Sequence, residues 1–389
     1  MHYLNCLNNI NNFEDSKSSL ENLGLFVKEY DNNYLVKYIK DKSDMTNEDV
    51  QKCRGIILEK NTNRLLCVPP PKSVSVDMYH NIFKNNENNE NIVFEEFVDG
   101  TMINLFKHND KTYISSRSCL GANCRWNSTN TFNYLFHECI DFKKFDVVDS
   151  NYTFTFVIQH PDNTIVKRYQ QPTLKLCSIV KVNEDNSVSF LNYEQMNELM
   201  KSYNIDIVLP RKYSFSSMEE VYKSIDDMEE TDQGYVIKNY ENSSTLQRSK
   251  IRNINYNNIR LLRGNTNNKQ YLYFELRKNH NLQDYLEYFP EDKELFDKYR
   301  LNLYDFTSKL FLFYKKLKLY KTVKFLEIDF QYRPFLNELH NIHMETKNPT
   351  TKNTVIQYLH RLPTPRILFA LNYNETSNET SNETSNETN

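Results

Sequence analysis

Glycine is scarce in this chain, with 6 residues in 389, and there is a single tryptophan. So few glycines exclude glycine-rich linkers, collagen-like repeats and glycine-loop folds, and make each glycine worth locating. An excess of either charge is also missing. Lys and Arg total 48 against 51 Asp and Glu, a formal net charge of −3. That excludes a uniformly basic nucleic-acid coat protein and confines any polyanion site to a local patch. No run approaches about 18 uninterrupted apolar residues, and the polar stretch Met1 to Phe13 lacks a basic segment leading into an apolar one. Neither a membrane span nor a secretory leader is expected, and a cytoplasmic location is. The cysteines Cys6, Cys53, Cys67, Cys119, Cys124, Cys139 and Cys177 are odd in number, scattered, and contain no Cys-x-x-Cys pair. They are expected to be reduced thiols without a metal.

What is abundant is aromatic surface: 27 Tyr and 24 Phe within a hydrophobic fraction of only 39%, so an aromatic-rich core is expected. The length has room for about two or three domains. From Leu23 to about Phe274 short β-favouring runs alternate with Asn/Asp-rich turns. The runs are Tyr34–Tyr38, Gly55–Leu58, Arg64–Val68, Ile92–Phe97, Thr101–Phe106, Lys111–Ser116, Tyr152–Gln159, Leu174–Val182 and Gly234–Asn239. They predict an α+β layout of antiparallel sheets. Helices are predicted at Thr131–Cys139 and at Tyr193–Tyr203, the latter opening near Asn192 with Glu194 and Gln195 in its first turn. Asn81–Asn91 reads as a polar surface loop.

After Asn279 the pattern changes. Leu303, Phe306, Leu310, Phe313, Leu317 and Tyr320 recur at alternating spacings of three and four, the stripe of one long amphipathic helix. More helix is predicted at Phe335–Met344 and Lys352–Leu359, split by Pro334 and Pro349. The expected organisation is one domain over 1–275, a helical domain over 280–372, and a disordered tail over 373–389, where Asn-Glu-Thr-Ser repeats carry nothing apolar to bury.

The stretch Glu95-Glu96-Phe97-Val98-Asp99-Gly100-Thr101 is by itself an ordinary hairpin signal. It stands, however, in an ordered series. Cys53-Arg54-Gly55 and Pro69-Pro70-Pro71-Lys72 precede it. Ser116-Arg117-Ser118, Phe156 through Val166, Gln233-Gly234-Tyr235-Val236-Ile237-Lys238 and Lys250-Ile251-Arg252 follow. Over roughly residues 23–265 this series resembles the ATP-dependent RNA ligases of the phage T4 RNA ligase 1 type, within the covalent nucleotidyltransferase superfamily. The resemblance implies an ATP-grasp-like nucleotidyltransferase fold. It also implies a reaction in which a lysine of the motif K-x-D-G attacks ATP and the adenylate then passes to an RNA 5′-phosphate. Similarity to ligase-related proteins of giant DNA viruses, together with a composition typical of AT-rich genomes, would place the protein in a host cytoplasm or a virion.

The departures from that pattern are chemical. Phe97 stands where the family carries its lysine, while Asp99 and Gly100 are kept. Val157 and Gln233 replace two family carboxylates. Phenylalanine has no nucleophile, and losing two acids removes charge that would attract Mg²⁺. The basic positions persist: Arg54, Arg117 in place of a family lysine, Lys238, and Lys250 with Arg252 alternating along one strand so that both share a face. These residues and Asp99 form the expected nucleotide or RNA site, with Phe97 free to stack on a base. From Asn242 to Phe274 six basic residues, Arg248, Lys250, Arg252, Arg260, Arg263 and Lys269, occur with no acidic one and with Tyr256, Tyr271 and Tyr273 interleaved. That is either a local polyanion site or a solvated basic face.

The sequence thus supports an RNA ligase-like protein that binds RNA or nucleotide without forming the usual lysyl-AMP. One alternative is an active ligase using a displaced lysine such as Lys72 or Lys84, which alone would bring ATP and Mg²⁺ as cofactors. The other is a non-catalytic structural or virion-associated protein. His160, and Cys119 with Cys124, are read as structural.

Overall fold

Strand formation follows the alternation of apolar and polar residues closely, and three antiparallel sheets result. The computed structural model describes residues 2–10, 12–79, 91–126 and 128–373. The expected loop at 81–91, except Asn91, and the tail beyond Tyr373 lie outside the described residues. The first sheet has the order β1-β2-β3-β4, from Leu25–Glu29, Asn33–Tyr38, Arg54–Glu59 and Leu65–Cys67. The largest has the order β10-β9-β8-β6-β7, built from β6 (Thr101–His108), β7 (Lys111–Ser116), β8 (Tyr152–Gln159), β9 (Thr173–Val182) and β10 (Val188–Phe190). The third runs β11-β5-β12-β13, from β5 (Ile92–Glu96), β11 (Lys212–Tyr213), β12 (Gly234–Asn239) and β13 (Gln247–Arg252).

Each sheet has one face packed on helices. Helix α1 (Phe13–Asn22), with Asn12 accepting from the Asp15 N–H, buries Leu20 in a core with Leu25, Tyr34 and Val36 of the first sheet. A short helix α2 (Glu48–Lys52) leads into β3. Against the large sheet lie α3 (Phe132–Cys139), capped by Thr131, and α4 (Tyr193–Ser202), closed at its start by a reciprocal Asn192–Gln195 capping box. Leu135, Phe136, Met196 and Met200 from these helices meet Phe154, Phe156 and Leu176. Helix α5 (Met218–Asp226) sends Met218, Val221 and Ile225 onto Phe94, Tyr235, Ile237 and Ile251 of the third sheet. The expected aromatic core is present, with Tyr34, Phe136, Phe154 and Phe156 almost completely buried.

The Asp99-Gly100 segment is not a hairpin. Strand β5 pairs with β11 and β12, whereas β6 pairs with β7 and β8, so residues 97–100 carry the chain from one sheet to another. Gly100 has φ +148, and a Cβ there would stand 2.1 Å from the Ile158 carbonyl oxygen. The crossing therefore requires a residue without a side chain.

The chain divides into two compact units at Arg260/Leu261, upstream of the 275–280 change expected from sequence. Helix α6 (Ile254–Arg263) contains that division. The second unit holds α7 (Lys269–Lys278), α8 (Leu282–Tyr288), α9 (Lys293–Tyr314), α10 (Arg333–Thr346) and α11 (Lys352–Arg361). Tyr273, Tyr285 and Phe296 cluster in its interior. The apolar stripe of α9 holds through Leu303, Phe306 and Leu310, but then Lys315–Leu319 winds as a π-turn, the Tyr320 N–H bonding to the Lys315 carbonyl at 2.9 Å. A π-turn inserts residues into the helical period and rotates the stripe away from the core. Tyr320, expected as its last member, is accordingly 62% exposed. Pro334 sits in the first turn of α10, where the missing N–H costs no intrahelical bond.

A cationic cleft in the first unit

The segment Gln-Arg-Ser-Lys-Ile-Arg of β13 alternates in charge and apolarity, so a period of two sorts it by face. Ile251 joins the core under α5, and Arg248, Lys250 and Arg252 turn to the other side. Pairing with β12 puts Val236 opposite Lys250, and Val236 also faces Glu95 of β5. One face of the third sheet therefore presents Glu95, Val236, Lys238, Arg248, Lys250 and Arg252, all lining a cleft with room for about 260 Å³ of solvent. Met102, Thr155, Val157 and Cys177 of the large sheet line it as well, with Arg54 from β3 and Tyr256 and Arg260 from α6.

Gly234, at the start of β12, brings that strand close to β13. It lies opposite Arg252, has φ +116, and any Cβ would stand 2.1 Å from the Ile251 carbonyl oxygen. The Phe97 N–H donates to the Gly234 carbonyl at 2.9 Å. Lys250 and Arg252 both reach Phe97: the Lys250 Nζ lies 4.7 Å and the Arg252 Cζ 5.2 Å from the ring centroid. Both contacts are cation–π in kind, each cation being attracted by the face of the ring.

The charges of the cleft are poorly balanced. Lys238 and Glu95 form a buried ion pair at 2.7 Å, and the Lys238 Nζ also donates to the Cys177 carbonyl at 2.7 Å. Burial opposes the charge on Lys238, but the Glu95 carboxylate overcomes it and holds the amine above the usual lysine value. Glu96 is engaged by Lys175 at 2.7 Å. Asp99 accepts from the Lys167 N–H at 2.8 Å, the Val166 N–H at 3.2 Å and the Tyr256 hydroxyl at 2.9 Å. Burial raises its pKa despite those three donors. Asp99 thus ties the inter-sheet segment to α6 and to residues 166–167.

Against these stand Arg54, Arg248, Lys250, Arg252 and Arg260, none of which forms an ion pair with a described carboxylate. Arg248 donates from Nε to the Pro71 carbonyl at 2.8 Å, yet its buried Nη2 has no partner. Burial, reinforced by Arg54, brings Arg248 down to about 9, so it stays charged at neutral pH. Lys250 moves furthest: burial first, then Arg248, Arg54, Arg252 and Arg260, lower it to about 6. A cluster of like charges in a part-buried cleft, with an orphaned guanidinium donor, is arranged for an anion.

A divalent cation fits this cleft badly. Val157 and Gln233, both lining it, bring no charge, and of the nearby carboxylates only the Glu95 Oε1 lacks a partner. Among the described residues no group of three or more His, Cys, Asp and Glu side chains is gathered to hold a metal. A magnesium ion would meet the guanidiniums of Arg54, Arg248, Arg252 and Arg260 instead of ligands.

Of the residues expected from sequence, Arg54, Phe97, Asp99, Gly100, Lys238, Lys250 and Arg252 line the cleft. Arg117 does not: it stacks on the Tyr38 ring at 4.2 Å and donates to the Tyr38 carbonyl at 3.0 Å. The basic run 242–274 divides. Arg248, Lys250, Arg252 and Arg260 meet at the cleft, whereas in the second unit Arg263 covers the Phe289 ring and Lys269 pairs with Asp292 at 2.6 Å. Arg248 and Arg260 were not singled out as site residues, although the period that joined Lys250 to Arg252 also takes in Arg248. Arg260 lies one helical turn beyond Tyr256 on α6. Nothing in the sequence marked Glu95 as the partner of Lys238. Lys72 does not line the cleft, and Lys84 lies outside the described residues. His160 is occupied structurally, its Nε2 2.9 Å from Glu138 and its Nδ1 accepting from the Asp162 N–H.

No protein-family model matches the chain. A protein of Autographa californica nuclear polyhedrosis virus, named as a bifunctional polynucleotide kinase/RNA ligase, is 23% identical over 285 residues, covering 68% of this chain. The chain matches only 38% of that protein's length. Among solved structures, an archaeal ATP-dependent RNA ligase superposes with TM-score 0.46 at 15% identity, covering 67% of this chain and 64% of its own. A Naegleria gruberi RNA ligase, solved with ATP and Mn, gives TM-score 0.37 at 11% identity, covering 47% of this chain and 56% of its own. The viral protein's name falls in the same class as the resemblance read from the motifs, and no described helix is long and apolar enough to cross a membrane.

Proposed function

We propose that this protein binds the phosphate groups of a nucleotide or of RNA in the cleft of its first unit, in the manner of an RNA ligase-like nucleotide pocket. The observation that carries this reading is the convergence of Arg54, Arg248, Lys250, Arg252 and Arg260 on one cleft without carboxylate partners. Arg248 is buried and Arg54 half-buried, whereas Arg252 and Arg260 reach solvent, and a bound polyanion would give these unpaired groups charge-assisted hydrogen bonds. Phe97 supplies a flat apolar surface beside those cations, suited to a base or ribose, and position 97 supplies no nucleophile. The viral relative's name points to the same substrate class.

Equilibrium binding of ATP and of 5′-phosphorylated single-stranded RNA across a salt series tests the reading. Affinity should fall steeply with salt. The Arg252→Ala and Arg260→Ala changes should each weaken binding and lower the RNA salt slope by about 0.7. Affinity indifferent both to salt and to these substitutions would refute it and leave the structural-protein alternative standing.

A further inference from the structure

We infer that Lys250 is a nucleophile toward phosphorus, its amine brought to the ring of Phe97 from the far strand of the sheet to attack a nucleoside triphosphate bound in the cleft. This deepens the nucleotide-binding reading and rests on it.

Three features of the cleft converge on the assignment. The first is position. Lys250 lies two strands away from β5, yet its Nζ stands 4.7 Å from the Phe97 ring centroid. Of the two lysines lining the cleft, it alone is without a carboxylate, since Lys238 is held by Glu95. The second is protonation. An amine attacks through its lone pair, and the surrounding guanidiniums together with burial keep Lys250 largely as the free base at pH 7. Lys238, in its ion pair, keeps its proton and cannot attack.

The third is charge matching. A triphosphate carries about four negative charges near neutral pH. The cleft offers four guanidiniums, Arg54, Arg248, Arg252 and Arg260, that remain charged when it binds. Burial, the first cause of the lowered Lys250 pKa, persists when the arginines take up the anion's charge. The same arginines stand in for the divalent cation that the cleft is ill suited to hold. In the step itself the Nζ lone pair forms a P–N bond to the α-phosphorus. The bond from that phosphorus to the bridging oxygen of the β-phosphate breaks, and pyrophosphate leaves with the electron pair. The ammonium-type proton left on nitrogen passes to solvent, giving a neutral phosphoramidate nitrogen and one nucleoside monophosphate per chain.

The full chain is incubated with α-³²P-labelled ATP and, separately, GTP, with EDTA or with Mg²⁺. Nucleotide binding is measured in parallel by equilibrium dialysis. The expected result is a denaturation-resistant, acid-labile label that maps to Lys250, forms with equimolar pyrophosphate release, and survives EDTA. Lys250→Met should abolish the label. A second measurement does not depend on any variant folding. Competitive trace acetylation of the wild-type chain from pH 5 to 9 should find Lys250 the most reactive lysine at pH 7, and ATP should protect it. Binding without a covalent label, a label on another residue, or a Lys250 no more reactive than surface lysines would overturn the assignment and leave the binding reading intact. Absence of nucleotide binding would overturn both.

Discussion

Replacing Lys250 by methionine should make the protein more stable, by an amount that depends on pH in a defined direction. In the folded chain Lys250 titrates near 6 instead of the ordinary 10.5. Between those limits the unfolded chain binds a proton there that the folded chain does not. Stability carried by this group therefore rises with pH through the window from 6 to 10.5 and is flat below it. With about 1.4 kcal/mol per pKa unit, holding Lys250 neutral at pH 7 costs at most roughly 5 kcal/mol. Methionine keeps the aliphatic packing and titrates nothing. The variant should exceed the wild type by roughly 5 kcal/mol at pH 7 and by about 2 kcal/mol at pH 9, the gap closing by about 1.4 kcal/mol per pH unit. Urea denaturation of both proteins at pH 6, 7, 8 and 9, without nucleotide, measures this directly. Parallel stability curves for the two proteins would show that Lys250 keeps its proton in the cleft, and the electrostatic account of the site would fall with it.

The Glu95–Lys238 pair should behave as a coupled unit. Either Glu95→Gln or Lys238→Met alone should cost about 3–5 kcal/mol by leaving a buried charge unmatched, while the double variant should recover much of that loss in a double-mutant cycle. Gly234→Ala should destabilise by at least about 1 kcal/mol and detach β13 from β12, because its φ and the Ile251 carbonyl at 2.1 Å leave no place for a Cβ. Hydrogen exchange at the Tyr235 and Ile251 amides, which face each other across that ladder, reports the detachment, and unchanged protection would contradict it.

Much of this molecule could be read along the chain because its signals are local. The strand Gly234–Asn239 and the helix that opens on the Asn192–Gln195 box follow from periodicity and capping, which need only near neighbours. The facing of Lys250 with Arg252 follows from the same period of two. Where the outcome depended on a distant partner, the reading changed. The Asp-Gly turn became a passage between sheets because β5 found β12 and β11 instead of β6. The basic run 242–274 split because its strand half entered a cleft and its helical half packed with Phe289 and Asp292. Arg117 went to Tyr38, and Lys238 acquired a buried carboxylate 143 positions upstream. Residue type and spacing decided where charge could accumulate. Only tertiary packing decided which charges would be neutralised, because burial and pairing are set by what lies across the fold, and that separates a spent cation such as Lys238 from an unspent one such as Lys250.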